Sequence, residues 1–290
     1  MTGIVLIDKG PDWTSHDVVA KLRGLLRERR IGHAGTLDPM ATGLLTIFVG
    51  RATRAVEFAE AEEKTYIARL RLGITTDTQD STGRVLTTSD VQVSQAELEA
   101  VLPQFLGEIT QIPPMYSAVK VDGQRLYKLA RKGVEVERKA RPVTIYQLRI
   151  LGQAEDGFDL EVTCSKGTYI RTLCHDMGQV LGCGGVMSAL RRTRVGAFSV
   201  EEACTLADIE AAEDRARFLR PMDTLFADYP VLTVDEAQER GIRCGQTVAL
   251  TSGNPGMVRV YGVNGAFLAV GEIVVQRGLV LRIEKSFFTP

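Results

Sequence analysis

The segment Gly32-His33-Ala34-Gly35-Thr36-Leu37-Asp38-Pro39-Met40-Ala41-Thr42-Gly43-Leu44-Leu45 sets one carboxylate among three glycines and a proline, then runs into an apolar stretch. Glycines allow backbone angles and close approaches that other residues resist. Pro39 biases Asp38 toward an extended, presented conformation. A lone carboxylate on such a loop can act as nucleophile or base. It can equally be a turn residue bonded to local backbone. In a water-poor pocket it needs a cation to stay ionised. A candidate cation lies in Ser165-Lys166-Gly167-Thr168-Tyr169-Ile170-Arg171-Thr172-Leu173, where a turn joins a buried strand to a helix and Arg171 falls in the first turn. A guanidinium is planar, always charged and suited to carboxylates.

Other machinery is missing. The sequence has no G-x-x-x-x-G-K-[ST], no G-x-G-x-x-G after a strand, no H-E-x-x-H and no G-x-S-x-G. The three histidines (His16, His33, His175) are dispersed, and the five cysteines lack C-x-x-C spacing. No cofactor or metal is expected. With no signal-peptide pattern at Met1-Thr2-Gly3 and no long apolar run, a cytoplasmic, reduced protein without membrane contact is expected.

The net charge of −1 conceals local asymmetry. Between Lys120 and Arg141 there are eight basic residues against three acids, Asp122 among them. Arg191, Arg192 and Arg194 form a second basic cluster, and Arg27, Arg29 and Arg30 a third. Glu201–Asp214 carries six acids and no base. Such runs are either solvated faces or one basic face for a phosphate backbone.

These residues must be positioned by an α+β framework. Ile4–Ile7 reads as a strand. Thr14 and Ser15 offer N-caps for a helix with Val18, Val19, Leu22, Leu25 and Leu26 on one face. Gly32–Gly43 reads as a loop, and so does Gly73–Val85. Thr65–Leu72 alternates as a strand, with Tyr66, Ala68, Leu70 and Leu72 on one face and Ile67, Arg69 and Arg71 on the other. Ser94 and Glu97 form a capping box. Val143–Leu151 and Phe158–Ser165 read as strands, and Tyr169–Leu181 as a helix burying Ile170, Leu173, Met177 and Val180. Glu201–Phe218 reads as one acidic helical stretch. After Asp228-Tyr229-Pro230, short strands and glycine turns predict a small β-barrel. Residues 1–228, with a helical segment near 201–225, are expected to form one domain and 229–290 another.

Four blocks together resemble the TruB family of pseudouridine synthases. They are Leu6-Ile7-Asp8-Lys9-Gly10-Pro11-Asp12-Trp13-Thr14-Ser15; Gly32 to Pro39; Lys64-Thr65-Tyr66 with Leu72-Gly73-Ile74-Thr75-Thr76-Asp77-Thr78; and Pro113-Pro114-Met115-Tyr116-Ser117-Ala118-Val119-Lys120 leading to Gly167-Thr168-Tyr169-Ile170-Arg171. Lys9-Gly10-Pro11 departs from the family's usual Lys-Pro. The resemblance implies a mixed, mainly antiparallel sheet flanked by helices, and a C-terminal PUA-like β-barrel. It implies isomerisation of uridine to pseudouridine in the T-loop of tRNA, at position 55, by base flipping and without cofactor. By that likeness Asp38 is the catalytic aspartate, Arg171 its partner, and Tyr66 the tyrosine packed on the flipped base. Tyr169 and Leu190 line the pocket, and His33 fills the place the base leaves. Lys9, Lys120, Arg131, Lys132, Arg191 and Arg192 are expected on the RNA backbone. The T-arm of tRNA is the expected partner, with no obligatory protein or guide RNA. Three rivals stand beside this reading: a non-catalytic RNA binder, a guide-RNA-dependent relative, and a metal-dependent hydrolase using Asp38, Asp77 and Asp80.

Overall fold

The computed structural model describes residues 1–90, 92–121 and 123–288; Asp122 of the basic run lies outside them. In chain order the first half runs β1 (Gly3–Lys9), α1 (Ser15–Leu26), β2 (Ile31–Ala34), β3 (Thr42–Val49), α2 (Val56–Ala61), β4 (Lys64–Leu72), β5 (Ile74–Thr76), β6 (Val85–Thr88), α3 (Gln95–Val101), β7 (Gly107–Gln111), β8 (Lys120–Val121), β9 (Gln124–Arg125) and α4 (Leu126–Ala130). The second half runs β10 (Arg141–Ala154), β11 (Gly157–Cys164), α5 (Ile170–Val180), β12 (Gly185–Val195), β13 (Phe198–Ser199), α6 (Leu206–Ala211), β14 (Val231–Thr233), α7 (Glu236–Arg243), β15 (Val248–Leu250), β16 (Gly256–Tyr261), β17 (Phe267–Val275) and β18 (Leu279–Ser286).

The large sheet has the order β1-β3-β12-β4-β11-β10-β7, with β2 beside β3 and β13 beside β12. Only the β12–β3 contact is parallel, so the sheet is mixed and mainly antiparallel. Along β1, Val5 and Ile7 enter one core while Ile4 and Leu6 enter a second. This strand is covered on both faces, which explains why its apolar run does not alternate. The first core lies under α1, α3, α5 and α6. The second holds Phe48, Phe198 and Phe226 with Val270 of β17 and Phe287 just after β18. The C-terminal sheet, β14-β16-β17-β18-β15, therefore packs against the back of the large one. Its two ends, β14 and β15, do not pair with each other. It is a curled half-barrel, in keeping with the small PUA-like β-barrel expected.

β3 is gripped unequally. β1 runs along one edge for its whole length. The other edge is shared: β2 pairs with Thr46–Val49, and β12 with Thr42 and Gly43. The sheet forks between β2 and β12, and residues 35–41 occupy the fork. Gly32 and His33 thus belong to a strand, not to the loop, because β3 satisfies their backbone.

Three other expectations change. Part of 73–85 and its flank is the short β5–β6 ladder. The acidic stretch 201–218 is broken into α6 and short 3-10 turns; Glu210, Glu213 and Asp214 sit at the C-terminal end of α6, where negative charge opposes the helix dipole. Val180 is exposed because α5 ends there. The capping boxes of α1 (Thr14 with Asp17) and α3 (Ser94 with Glu97) are formed. No described helix is long and apolar enough to cross a membrane.

Candidate active site

The loop at the fork is tied down through its backbone. The hydroxyl of buried Ser15 accepts from the Leu37 N–H at 2.9 Å and donates to the Leu37 carbonyl at 3.2 Å. The Lys9 ammonium donates to the carbonyls of Gly10 (2.8 Å), Trp13 (2.8 Å) and Pro39 (3.2 Å). The Asp12 N–H donates to the same Pro39 carbonyl at 2.9 Å. On the far side Arg192 donates through Nη2 to the Gly35 carbonyl at 3.0 Å and through Nε to Leu44 at 2.7 Å. The Leu44 carbonyl lies where β2 and β12 diverge, so the guanidinium supplies a donor that no strand supplies. Gly43 lets β12 approach: a Cβ there would lie 2.3 Å from the Arg192 carbonyl, and its φ is +97°.

Asp38 rises from this loop toward α5. Arg171, at the first turn of α5, meets its carboxylate side-on, Nε to Oδ2 at 3.0 Å and Nη2 to Oδ1 at 3.5 Å. Arg171 is otherwise enclosed. It donates to the carbonyls of Thr78 (3.1 Å) and Tyr116 (2.8 Å), and Nη1 lies 3.5 Å from Asp80 Oδ2. Asp80 is buried and accepts from both Thr82 N–H (3.0 Å) and the hydroxyls of Thr78 (2.8 Å) and Thr82 (2.6 Å). Arg171 therefore bridges one sequestered carboxylate and one, Asp38, whose side chain is 36% exposed. Burial pushes the Asp38 carboxyl above its ordinary pKa; Arg171 opposes this, Asp80 adds to it, and Lys9 opposes it.

Tyr66 stands opposite Arg192 in the β4–β12 register, and Leu190 opposite Ala68, so all four share a face beside the loop. Burial raises the Tyr66 phenol pKa, and the Arg192 guanidinium works against it. His33 sets its ring edge-on to His16, centroids 5.3 Å apart. Its Nδ1 is buried without a partner among the described residues. Burial, with help from His16 and Arg192, lowers its pKa to about 4, so it is neutral at neutral pH. Tyr169 precedes α5. Its N–H donates to Gln111 Oε1 at 2.9 Å and its carbonyl accepts from Gln111 Nε2 at 3.2 Å.

Two of the residues expected on RNA phosphates are elsewhere. Lys9 and Arg192 are each 1% exposed; the Lys9 ammonium and the Nε and Nη2 groups of Arg192 donate to backbone carbonyls inside the fork. They are corrected to internal struts of the loop. Arg191 is half-buried and forms two bonds to Asp8, at 3.0 and 2.8 Å. Lys120, Arg131 and Lys132 are exposed. Asp77 and Asp80 do not converge with Asp38 as a ligand set: Asp77 accepts from the Arg84 N–H at 2.8 Å, and Asp80 turns into its own loop. Among the described residues no group of three or more His, Cys, Asp or Glu is gathered to hold a metal.

Sequence reasoning missed Ser15 and Gln111 as supports and took Asp80 only as a candidate metal ligand. For Ser15 the signal was a second hydroxyl beside the Thr14 cap. For Gln111 there was none.

The chain and its fold have counterparts of known class. The chain matches profiles described as TruB family pseudouridylate synthase (N terminal domain) over residues 23–170, tRNA pseudouridylate synthase B C-terminal domain over 171–227, and Pseudouridine synthase II TruB, C-terminal, over 230–277. It is 46% identical over 272 residues to a protein of Aromatoleum aromaticum named tRNA pseudouridine synthase B, covering 93% of this chain and 88% of that one. A protein of the same name from Syntrophotalea carbinolica is 50% identical over 237 residues, 81% of this chain and 78% of that one. Among solved structures, a chain from a Cbf5-Nop10-Gar1 complex superposes with a TM-score of 0.75 at 26% identity, covering 99% of this chain and 85% of that one. Fold and sequence together define a pseudouridine synthase. More narrowly, the chain belongs to the TruB family.

Proposed function

We propose that this enzyme converts uridine to pseudouridine at position 55 in the T-loop of tRNA, acting alone in the cytoplasm. The observation that carries the reading is the Asp38 carboxylate held 3.0 Å from the enclosed Arg171, on a pinned loop beside Tyr66. The relatives at 46% and 50% identity bear the name tRNA pseudouridine synthase B, which supports tRNA as substrate. The chain from the Cbf5-Nop10-Gar1 complex is more distant, at 26%.

Uridine in a folded T-loop must leave the stack to be reached, at a cost of a few kcal/mol. Stacking on an aromatic such as Tyr66 offsets roughly 1–3 kcal/mol. Tyr169 and Leu190 line the nucleotide pocket, and neutral His33 fills the gap left in the loop. Asp38 attacks the sugar or the base, or removes a sugar proton, while the glycosidic bond breaks. The freed uracil turns and rejoins through C5, which then gives up its proton. Arg171 keeps Asp38 ionised and oriented. Residues 1–228 form the catalytic domain, and 229–290 an RNA-binding module that extends the contact.

The test is incubation with an unmodified tRNA transcript and site-resolved pseudouridine mapping. The expected product is a single pseudouridine in the T-loop. Asp38→Ala is expected to abolish it while tRNA affinity stays within about threefold of the unsubstituted chain. Product elsewhere, or activity surviving that substitution, defeats the reading.

A further inference from the structure

Arg192 has the largest fully buried side chain among the described residues, and no described carboxylate lies within ion-pair distance of it. A buried charge without a counter-ion is costly, several kcal/mol after relaxation. Arg171, the other buried arginine, has two carboxylates. The two carbonyls that Arg192 serves, Leu44 and Gly35, could be served by a neutral amide. The positive charge therefore needs another reason.

Its surroundings supply one. Arg192 faces Tyr66 across the β4–β12 ladder. Its Nη1 packs against Gly35, 3.2 Å from where a Cβ would stand. Its charge also reaches Lys9, His33 and Lys64, each of which it makes harder to protonate. A guanidinium can only donate. A phenol oxygen bonded to it must accept, which leaves the hydroxyl hydrogen free to turn outward. A pyrimidine that leaves a sugar with the bonding electrons carries negative charge, which a preorganised donor above a fixed cation stabilises.

We propose that Arg192 is a positioning residue for the isomerisation: its unpaired guanidinium holds the Tyr66 oxygen from beneath, so that the hydroxyl hydrogen faces the departing base. This rests on the reading of Tyr66 as the residue packed against that base. The groups that face Tyr66 and bear on its titration are Arg192 from β12, Asp38 from the loop and Cys164 from β11. Lys9, Lys64 and His33 surround Arg192 itself.

The test is a double-substitution cycle read by single-turnover pseudouridine formation on unmodified tRNA transcript, with tRNA affinity measured alongside. Arg192→Gln keeps an amide donor and removes the charge; Arg192→Lys keeps the charge and removes the fork. Each is expected to lower the rate about tenfold or more, with affinity changed less than about threefold. In a Tyr66→Phe background the same substitutions are expected to lower it less than about threefold further. If Arg192→Gln lacks a cooperative melt, Arg192→Lys decides alone. A penalty undiminished in Tyr66→Phe, or no penalty at all, overturns the inference and leaves Tyr66's own role standing. A Tyr66→Phe chain as fast as the unsubstituted one overturns the reading of Tyr66, and the inference with it.

Discussion

Asp38 is pulled in two directions, and the direction that wins has a measurable consequence. Burial, the leading influence, and the nearby Asp80 favour its neutral form, whereas Arg171 and Lys9 favour the carboxylate. The folded pKa is raised above its ordinary value of about 3.9. The ionised form of Asp38, which the proposed function requires, is then present only above that raised value and is lost as pH falls through it. The acid limb of the single-turnover rate is expected above the usual carboxylate range. Arg171→Met removes the main opposing influence and should move the limb to still higher pH as well as slow the reaction. A limb that stays in place shows that some other group titrates. Asp38 and Arg171 were legible because the loop and the strand-to-helix turn each carry a spacing pattern. That Arg171 serves a second carboxylate was not legible, because Asp80 lies far away in sequence and no local pattern links them. Charge alone also misled: Lys9 and Arg192 read as surface cations, since a sequence records a cation but not the fork that buries it.

At the scale of the elements, the decisive object is the fork of β3 with β2 and β12, which turns residues 35–41 into a rigid platform. Gly43 permits the close approach of β12. Gly43→Ala puts a Cβ into the Arg192 carbonyl at a φ of +97°, so strand separation or backbone strain follows, about 1–3 kcal/mol. Thermal melting should fall by several degrees, and activity should fall with it because the Asp38 loop shifts. Lys9 makes a different prediction. Lys9→Met removes a donor from three carbonyls, of which Pro39 keeps the Asp12 N–H, and an acceptor left alone away from water costs about 1–3 kcal/mol. The expected result is lost stability and rate with little change in the salt dependence of tRNA binding; a lysine on a phosphate would give the reverse. The strands and helix caps around the fork were readable from alternation and from Thr14 and Ser94. The fork itself was not, because a shared strand edge is a matter of register between distant segments. For the same reason β2 was read as loop: four residues carrying Gly32 and His33 look like a turn until β3 pairs with them.

At the scale of the molecule, charge is sorted by place rather than by total. Phe226 joins the two sheets, packing against Phe58, Tyr229, Phe267 and Phe287, while Lys285 of β18 pairs with Glu57 of α2. The half-barrel is thereby held in a fixed relation to the Asp38 site. The sequence announced a module of short strands but not this seat, because its aromatics are scattered from residue 58 to 287. Of the basic residues expected on RNA, Lys120, Arg131 and Lys132 are exposed on the segment around β8, β9 and α4. That segment also reaches the site, since Tyr116 just before it supplies a carbonyl to Arg171. RNA drawn onto these cations would lie against the wall of the pocket. Each phosphate neutralised releases counter-ions, so the logarithm of affinity should fall linearly with the logarithm of salt. Lys120→Ala, Arg131→Ala and Lys132→Ala should each lower the magnitude of that slope by roughly one, with the rate at saturating tRNA little changed. Arg191, already paired with Asp8, should change it less. If the three exposed substitutions leave the slope intact, the phosphate path runs over another face, and the basic segment is only a solvated surface beside the site.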